Sequence, residues 1–271
     1  MTDENRSKLN YILKSWPSRA ICLSRWLKEN GISQPLTFTY LKSGWLEKIG
    51  SGAFKRAGEN VEWPSGLQAI QSQAKLSIHL GGKSALQFQG YAHYLPLGDS
   101  YPIYLYGYRN IKLPAWFKNY KWKNKIVYTQ TNLFDPSLNE GLTIVDINGI
   151  NVKSSMAERA IMEVIYLVPN RETYDEALQL MGSLSAIRPK IVQLLLESCN
   201  SIKVKRAFMV MAERNNYPWL KEIDLTKIDF GKGKREFIKH GYLDPKYHIT
   251  IPKEFDTDPE HRGLISYRRK S

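Results

Sequence analysis

Residues 44–58 of the chain, GWLEKIGSGAFKRAG, carry the pattern of a β-hairpin. Two runs of strand-forming residues, WLEKI and AFKRA, flank Gly-Ser-Gly at 50–52, where glycine supplies the positive φ that a tight turn requires. This pattern places Lys55 and Arg56 near the tip of the hairpin. The first predicted element is therefore a short hairpin with a basic tip.

Helical patterns precede the hairpin. A first helix is predicted from about Asp3 to Lys14, and Ser18 is predicted to cap a second helix that ends at Gly31. Ser33 is predicted to cap a third helix that ends at Gly44. Three short helices followed by a hairpin are the layout of a winged helix-turn-helix domain.

The third helix has a polar face. Its periodicity turns Leu36 and Tyr40 toward the core and leaves Phe38, Thr39 and Lys42 pointing outward. An outward aromatic ring beside a lysine indicates a contact surface. The alternative is that Phe38 packs against the hairpin and binds nothing.

The pattern changes after residue 95. Aromatic and β-branched residues predict strands at Tyr101 to Tyr108, at Lys125 to Phe134 and from Leu142. A capping box at Ser155 opens an apolar helix. Further helices are predicted from Thr173, from about Pro189 to Ser198 and from about Ile202 to Asn215. The predicted fold class is α+β, with a winged helix-turn-helix domain at residues 1–95 and a mixed α+β domain at residues 96–271.

The composition indicates a polyanionic partner. The 271 residues carry a formal net charge of +13, which favours nucleic acid or an acidic protein as the ligand, with a solvated basic surface that binds neither as the alternative. Cys22 and Cys199 are far apart and are predicted to be buried free thiols. No signal sequence and no transmembrane segment is recognised, so a cytoplasmic location without membrane contact is expected.

Two short motifs could bind phosphate. Gly82-Lys83-Ser84 is similar to the end of a phosphate-binding loop, but Ser77 stands where that loop needs its first glycine. The sequence GKGKR at 231–235 presents three cations between flexible glycines, which suits a phosphate or an acidic surface, with a solvated turn as the alternative. No metal-ligand spacing and no nucleophile motif occurs, so no cofactor and no metal is predicted, and no motif argues for an enzyme.

Several longer stretches resemble one family, the AbiEi antitoxins of type IV toxin-antitoxin systems, which act in abortive infection. In the first half these are SRWLKENGIS, YLKSGWLEKIGSGAFKRAGENVEW and GGKSALQFQGYAHYL. In the second half they are ERAIMEVIYLVP, DFGKGKREFIKHG and YHITIP. The resemblance spans nearly the whole chain.

The resemblance implies a transcriptional autorepressor that binds promoter duplex DNA through its winged helix. It also implies a C-terminal domain that opposes a nucleotidyltransferase-like toxin, without an obligatory stable complex and without enzymatic activity. The sequence of this chain suggests which side chains bind DNA and which oppose the toxin. The predicted DNA contacts are Ser18 and Arg19 on phosphates, Gln34, Thr37, Phe38, Thr39 and Lys42 on the third helix, and Lys55 and Arg56 on the wing. The predicted antitoxicity residues are Lys232, Lys234 and Arg235.

Other functions remain compatible with the sequence. A stand-alone winged-helix regulator would share the first domain. A protein with sixteen tyrosines and seven tryptophans could also bind single-stranded RNA by stacking. An enzyme that uses a nucleotide at GKGKR would lose nucleotide binding when Lys232 or Lys234 is changed.

Overall fold

The structure, a computed structural model, describes residues 16–91 and 101–255. Its contacts group these residues into two compact units. The first contains residues 16–84, 101–131 and 143–154, and the second contains residues 85–91, 132–142 and 155–255. The predicted first helix and the predicted domain boundary near Leu95 lie outside the described residues.

The first unit contains the winged helix. Its elements are β1 (Cys22–Leu23), α1 (Ser24–Glu29), α2 (Gln34–Lys42), β2 (Leu46–Gly50) and β3 (Ala53–Arg56). The strands form an antiparallel sheet in the order β1-β3-β2. The side chains that share its core are Trp16, Ala20, Cys22, Leu27, Ile32, Leu36, Tyr40, Leu46 and Phe54.

Local sequence explains where α2 begins and ends. The Ser33 side chain accepts a hydrogen bond from the Leu36 amide, with Pro35 in the first turn of the helix. Gly44 follows the helix with a φ of 73°, a conformation that glycine adopts without strain. The predicted third helix and the hairpin that follows it are therefore confirmed.

The predicted cap at Ser18 is wrong. The helix begins six residues later, at Ser24, with Leu23 at its N-cap position. Cys22 and Leu23 are held in an extended conformation because they pair with Phe54 and Ala53 of β3. This pairing with a strand thirty residues away overrides the local signal for a helix start.

A second sheet completes the first unit. It has five strands in the order β6-β5-β4-β8-β7. The strands are β4 (Ile78–Leu80), β5 (Ile103–Tyr108), β6 (Ile126–Thr131), β7 (Leu142–Ile147) and β8 (Ile150–Ser155). Three helices accompany these strands along the chain: α3 (Trp63–Ser72), α4 (Gly82–Phe88) and α5 (Ala115–Asn119). The strands predicted after residue 100 are present, so the α+β fold class is confirmed.

The second unit is mainly helical. Its helices are α6 (Ala157–Leu167), α7 (Tyr174–Gly182), α8 (Pro189–Ser198) and α9 (Ile202–Arg214). The small antiparallel hairpin of β9 (Tyr242–Asp244) and β10 (Ile249–Ile251) follows them along the chain. Helices α6 and α9 are buried along most of their length and form the centre of one apolar core.

Both cysteines are free and buried, as predicted. Burial raises the pKa of the Cys199 thiol to about 11 and raises the pKa of Cys22 further still.

Within the described ranges, no helix is long and apolar enough to cross a membrane. In the same residues, no cluster of three or more histidine, cysteine or carboxylate side chains could hold a metal ion.

Candidate nucleic-acid interface

A groove of about 830 Å³ lies between helix α2 and the tip of the hairpin β2–β3, which we call the wing. Gln34, Thr37 and Phe38 line it from α2. Lys28 enters from the end of α1, and Lys48 enters from the wing. The groove thus combines one amide, one aromatic ring and two lysines on a single face of the first unit.

Helix α2 has the two faces that its sequence predicts. Leu36 and Tyr40 are buried, whereas Gln34, Thr39 and Lys42 are exposed. The Phe38 side chain is 67% exposed, so it does not pack against the wing as the alternative required. The Phe38 ring is therefore accessible to a ligand that approaches α2.

Thr37 and Thr39 have different surroundings. Thr37 is only 8% exposed, and its hydroxyl donates a hydrogen bond to the Ser33 carbonyl at 3.0 Å. We therefore leave Thr37 out of the proposed base contacts. The Thr39 hydroxyl donates to the Pro35 carbonyl at 3.1 Å but remains exposed, so its lone pairs can still accept a hydrogen bond from a ligand.

The prediction that Lys55 and Arg56 lie near the wing tip is wrong, because Arg56 pairs with Leu46 at the end of the hairpin away from the turn. The register of the hairpin pairs Lys55 with Glu47, and the Lys55 ammonium lies 2.8 Å from the Glu47 carboxylate. The same ammonium donates to the Glu59 carbonyl at 2.7 Å. Hydrogen bonds from Lys55 and from the Gly58 amide lower the pKa of the Glu47 carboxyl. Lys55 is therefore engaged in holding the wing to the segment that follows it.

Arg56 is also engaged within the domain. Its guanidinium donates a hydrogen bond to the Trp16 carbonyl and lies over the Trp16 ring, 5.8 Å from the ring centroid. It also lies 3.8 Å from the Glu59 carboxylate. Arg56 is half-buried, so its charge is used to fix residue 16 against the sheet.

Ser18 and Arg19 lie in an exposed turn rather than at a helix N-terminus. The Ser18 hydroxyl and the Arg19 amide both donate to the Glu59 carboxylate, at 3.1 and 2.7 Å. The Arg19 side chain is exposed to solvent. The turn keeps Arg19 available as a phosphate contact, whereas the Ser18 hydroxyl already has a carboxylate partner.

Sequence reasoning missed Lys28 and Lys48. Both are exposed and both line the groove. Lys48 pairs with Phe54, one residue pair nearer the turn than Lys55, so a count from the turn in both directions would have found it. The hairpin sequence alone did not distinguish the lysine that pairs with Glu47 from the one that stays free for a ligand.

A second basic segment belongs to the same unit. The chain has no aspartate or glutamate between residues 100 and 134, and all six cations of that stretch are exposed: Arg109, Lys112, Lys118, Lys121, Lys123 and Lys125. Helix α5, which carries Lys118, packs against β2 of the wing. Lys118 thus lies on a helix that contacts the wing, although the two are far apart in sequence.

Lys232, Lys234 and Arg235 are in the second unit. All three are exposed, and they lie on one irregular loop between α9 and β9. The structure therefore keeps the predicted antitoxicity residues together on one loop.

The interpretation of Gly82-Lys83-Ser84 as the end of a phosphate-binding loop gains no support. Ser84 is buried, and its hydroxyl accepts a hydrogen bond from the Tyr104 amide.

Two family models match the chain. Residues 5–97 match the N-terminal domain of the transcriptional regulators described as AbiEi antitoxins, and residues 100–252 match the AbiEi antitoxin of type IV toxin-antitoxin systems, again described as a transcriptional regulator. The chain belongs to the AbiEi family. It is accordingly an antitoxin of the transcriptional-regulator type, as the sequence resemblance implied.

A solved structure shares the fold of this AbiEi chain. The crystal structure of the RV2827C protein from Mycobacterium tuberculosis superimposes with a TM-score of 0.58 at 14% sequence identity, and the match covers 92% of each chain. No curated protein matches the chain. At this identity the likeness concerns the fold alone.

The domain boundary near Leu95 stays a prediction. The two AbiEi family models meet between residues 97 and 100. The contacts within the structure group the chain differently, because residues 101–131 and 143–154 belong to the same compact unit as the winged helix. A fragment that ends at residue 95 would therefore lack part of the unit to which the winged helix belongs.

Proposed function

We propose that this AbiEi protein represses its own operon by binding promoter duplex DNA through the winged helix. The observation that supports this most directly is the groove between α2 and the wing. It presents Gln34, Phe38, Lys28 and Lys48 together on one exposed face. Hydrogen-bonding side chains among cations are what a reader of base edges requires.

Each side chain has a distinct proposed contact. Helix α2 enters the major groove, where the Gln34 amide and the Thr39 hydroxyl read base edges by directional hydrogen bonds. Lys42 contacts guanine or a phosphate of the DNA. Lys48 contacts the phosphate backbone of the DNA where it passes the wing. Phe38 is apolar and exposed, so its proposed contact is the methyl group of a thymine.

The basic segment at residues 109–125 extends the proposed contact. Its cations carry no base-reading geometry, but they lie in the same compact unit as the wing. We assign them to phosphates that flank the site read by α2. Such contacts raise affinity for any duplex and make binding strongly dependent on salt.

The second part of the proposed function is antitoxicity. The C-terminal half, residues 96–271, opposes a nucleotidyltransferase-like toxin in the cytoplasm, without catalysis by the antitoxin and without a required stable complex. Lys232, Lys234 and Arg235 are the side chains that we propose for this role. They are exposed cations on one loop, which suits an acidic protein face or a phosphate.

A gel-shift experiment with the full chain tests DNA binding. We expect the native promoter to be shifted at lower protein concentration than a scrambled duplex of the same length, with a shared dependence on salt. Equal affinity for the two duplexes would contradict sequence-specific repression. Tighter binding of single-stranded RNA than of either duplex would favour the RNA-binding alternative instead.

Growth rescue tests antitoxicity separately. Cells that express the partner toxin are compared with and without the full chain, and with the triple variant K232A/K234A/R235A. We expect rescue by the full chain and loss of rescue by the variant at equal expression. Normal rescue by the triple variant would remove these residues from the proposal and leave the DNA-binding part intact.

A further inference from the structure

The loop from Phe230 to Arg235 is held from inside by a buried arginine. Arg206 of helix α9 is only 2% exposed. Its guanidinium donates to the carbonyls of Phe230 at 2.9 Å, Gly231 at 3.1 Å and Gly233 at 2.7 Å. It also donates to the His248 carbonyl at 2.9 Å. One buried side chain thus fixes the course of the whole loop.

Among the described residues, Arg206 and its neighbour Lys205 have no carboxylate partner. Lys205 is 3% exposed, and its ammonium donates to the Asp229 carbonyl at 3.1 Å. Within residues 16–91 and 101–255, neither cation forms an ion pair with a carboxylate. Buried cations are normally paired with an anion, because carbonyl dipoles compensate the lost hydration only in part. The positive charge behind the loop is therefore compensated only in part, by carbonyl dipoles.

The local electrostatics agree with this description. Burial, and then the positive charge of Arg235, lower the pKa of the Arg206 guanidinium. The acidic groups that flank the loop along the chain do not reverse this effect. Asp229 uses its carboxylate to accept the Gly231 amide at 2.7 Å, and Glu236 is exposed. The positive charge of Arg235 therefore adds to the effect of burial on Arg206.

The backbone of the loop has amide groups that can donate hydrogen bonds to a ligand. Gly231 and Gly233 have φ values of 62° and 73°, and Lys232 between them is not in the positive-φ region. When successive residues alternate between right-handed and left-handed backbone conformations, their amides form a concave nest that binds anions. Within the described part of the chain, the amides of Lys232, Gly233 and Lys234 donate no hydrogen bond.

We propose that the loop from Phe230 to Arg235 is a binding site for a terminal phosphate group, such as the end of a nucleotide polyphosphate. A terminal phosphate has three free oxygens and carries up to two negative charges, whereas a phosphodiester has two free oxygens and one charge. Three free amides and three exposed cations match the terminal group better. Arg206 acts as a positioning residue, since it holds the carbonyls of the loop and does not reach the ligand.

This inference shares its loop with the proposed antitoxicity residues, so its biological use rests on the proposed function. The binding itself is measured on the purified full chain without toxin or promoter. Absence of phosphate binding and absence of growth rescue are therefore separate results.

Calorimetric titration of the full chain with pyrophosphate and with ATP, at constant ionic strength, tests the proposal. The informative variant is Gly233→Ala, which keeps every charge but strains a residue that needs positive φ. A Cβ at this position meets only the Arg235 guanidinium, at 4.0 Å, so the variant has room to fold. The second variant, K232A/K234A, removes two cations. The matched control, K190A/K221A, removes two exposed lysines elsewhere in the second unit.

We expect both loop variants to weaken pyrophosphate and ATP binding by at least about tenfold and the control to leave it unchanged. Binding by Gly233→Ala equal to that of the original chain would overturn the nest. If K232A/K234A and K190A/K221A lose equal affinity for pyrophosphate and ATP, binding depends only on the net charge of the protein. That result would also overturn the proposal. The titration is repeated with an oligoribonucleotide that has no terminal phosphate. If the loop variants weaken its binding as strongly as they weaken pyrophosphate binding, the preference for a terminal phosphate group is overturned.

Discussion

Gly50 of the wing lies directly against Trp116 of helix α5. A Cβ placed on Gly50 would be 2.5 Å from the Trp116 Cβ and 2.8 Å from its Cα. The wing therefore rests on a helix that comes more than sixty residues later in the chain. This contact explains why β2 ends in glycine, and it makes α5 a support for the wing.

Gly50→Ala should destabilise the first unit. The added methyl group meets backbone and Cβ atoms, which cannot turn away, so overpacking should cost about 1 to 3 kcal/mol of unfolding free energy. Urea unfolding checks this, with Ser51→Ala at the exposed turn as the matched control. An unchanged unfolding midpoint for Gly50→Ala would show that α5 does not support the wing.

Lys48→Ala and Lys55→Ala should behave differently although both lysines belong to the wing. Lys48 is exposed and lines the groove, so its loss should weaken operator and random duplex alike and reduce the salt slope by about one unit. Lys55 is paired with Glu47 within the hairpin, so its loss should leave the salt slope nearly unchanged. Gel shifts over a salt series measure both slopes. A larger change for Lys55 than for Lys48 would reverse our assignment.

Gln34→Ala should reduce selectivity more than general affinity. The amide is exposed on α2 at the edge of the groove, and base contacts discriminate where phosphate contacts do not. We expect a loss on the order of 1 to 3 kcal/mol on the operator and little change on random duplex. Competition gel shifts give the ratio of the two affinities. Parallel losses on both duplexes would place Gln34 on a phosphate instead.

Arg188→Met should destabilise the second unit in a pH-dependent way. Glu158 is buried, and the Arg188 guanidinium and amide both donate to its carboxylate, with a shortest distance of 2.9 Å. Burial alone would raise the pKa of Glu158, but these hydrogen bonds outweigh it and hold the pKa below its usual value of 4.5. The pair therefore contributes stability above about pH 4.5, and the contribution is lost as the pH falls through the lower folded-state pKa.

For Arg188→Met we expect a loss of about 1.5 to 3 kcal/mol at neutral pH, since a carboxylate loses charged hydrogen bonds. The loss should shrink toward pH 3, where Glu158 becomes protonated in the variant. Urea unfolding across this pH range measures it. Arg25→Met is the matched control, because its pair with Glu29 has the same 2.9 Å distance but is exposed. An Arg188→Met loss that does not depend on pH would contradict the proposed coupling to Glu158.

Much of the local structure could be predicted from the sequence. The glycine turn at 50–52, the Ser33 cap and the apolar spacing of Leu36 and Tyr40 determined the hairpin and the exposed face of α2. These signals are local, because turn geometry, caps and helical periodicity act over a few neighbouring residues. The α+β class followed from the same patterns.

The partners of the charged groups were decided only by the tertiary structure. Lys55 and Arg56 are bound to Glu47, Glu59 and Trp16, so the free cation of the wing is Lys48. Arg206 reaches carbonyls that follow it by more than twenty residues, which no spacing rule predicts. The physical reason is that a charged side chain is long, and its lowest-energy partner depends on which distant segments the fold brings within its reach. Sequence periodicity determines which face of an element is buried, whereas the packed chain determines which charges remain available to a ligand.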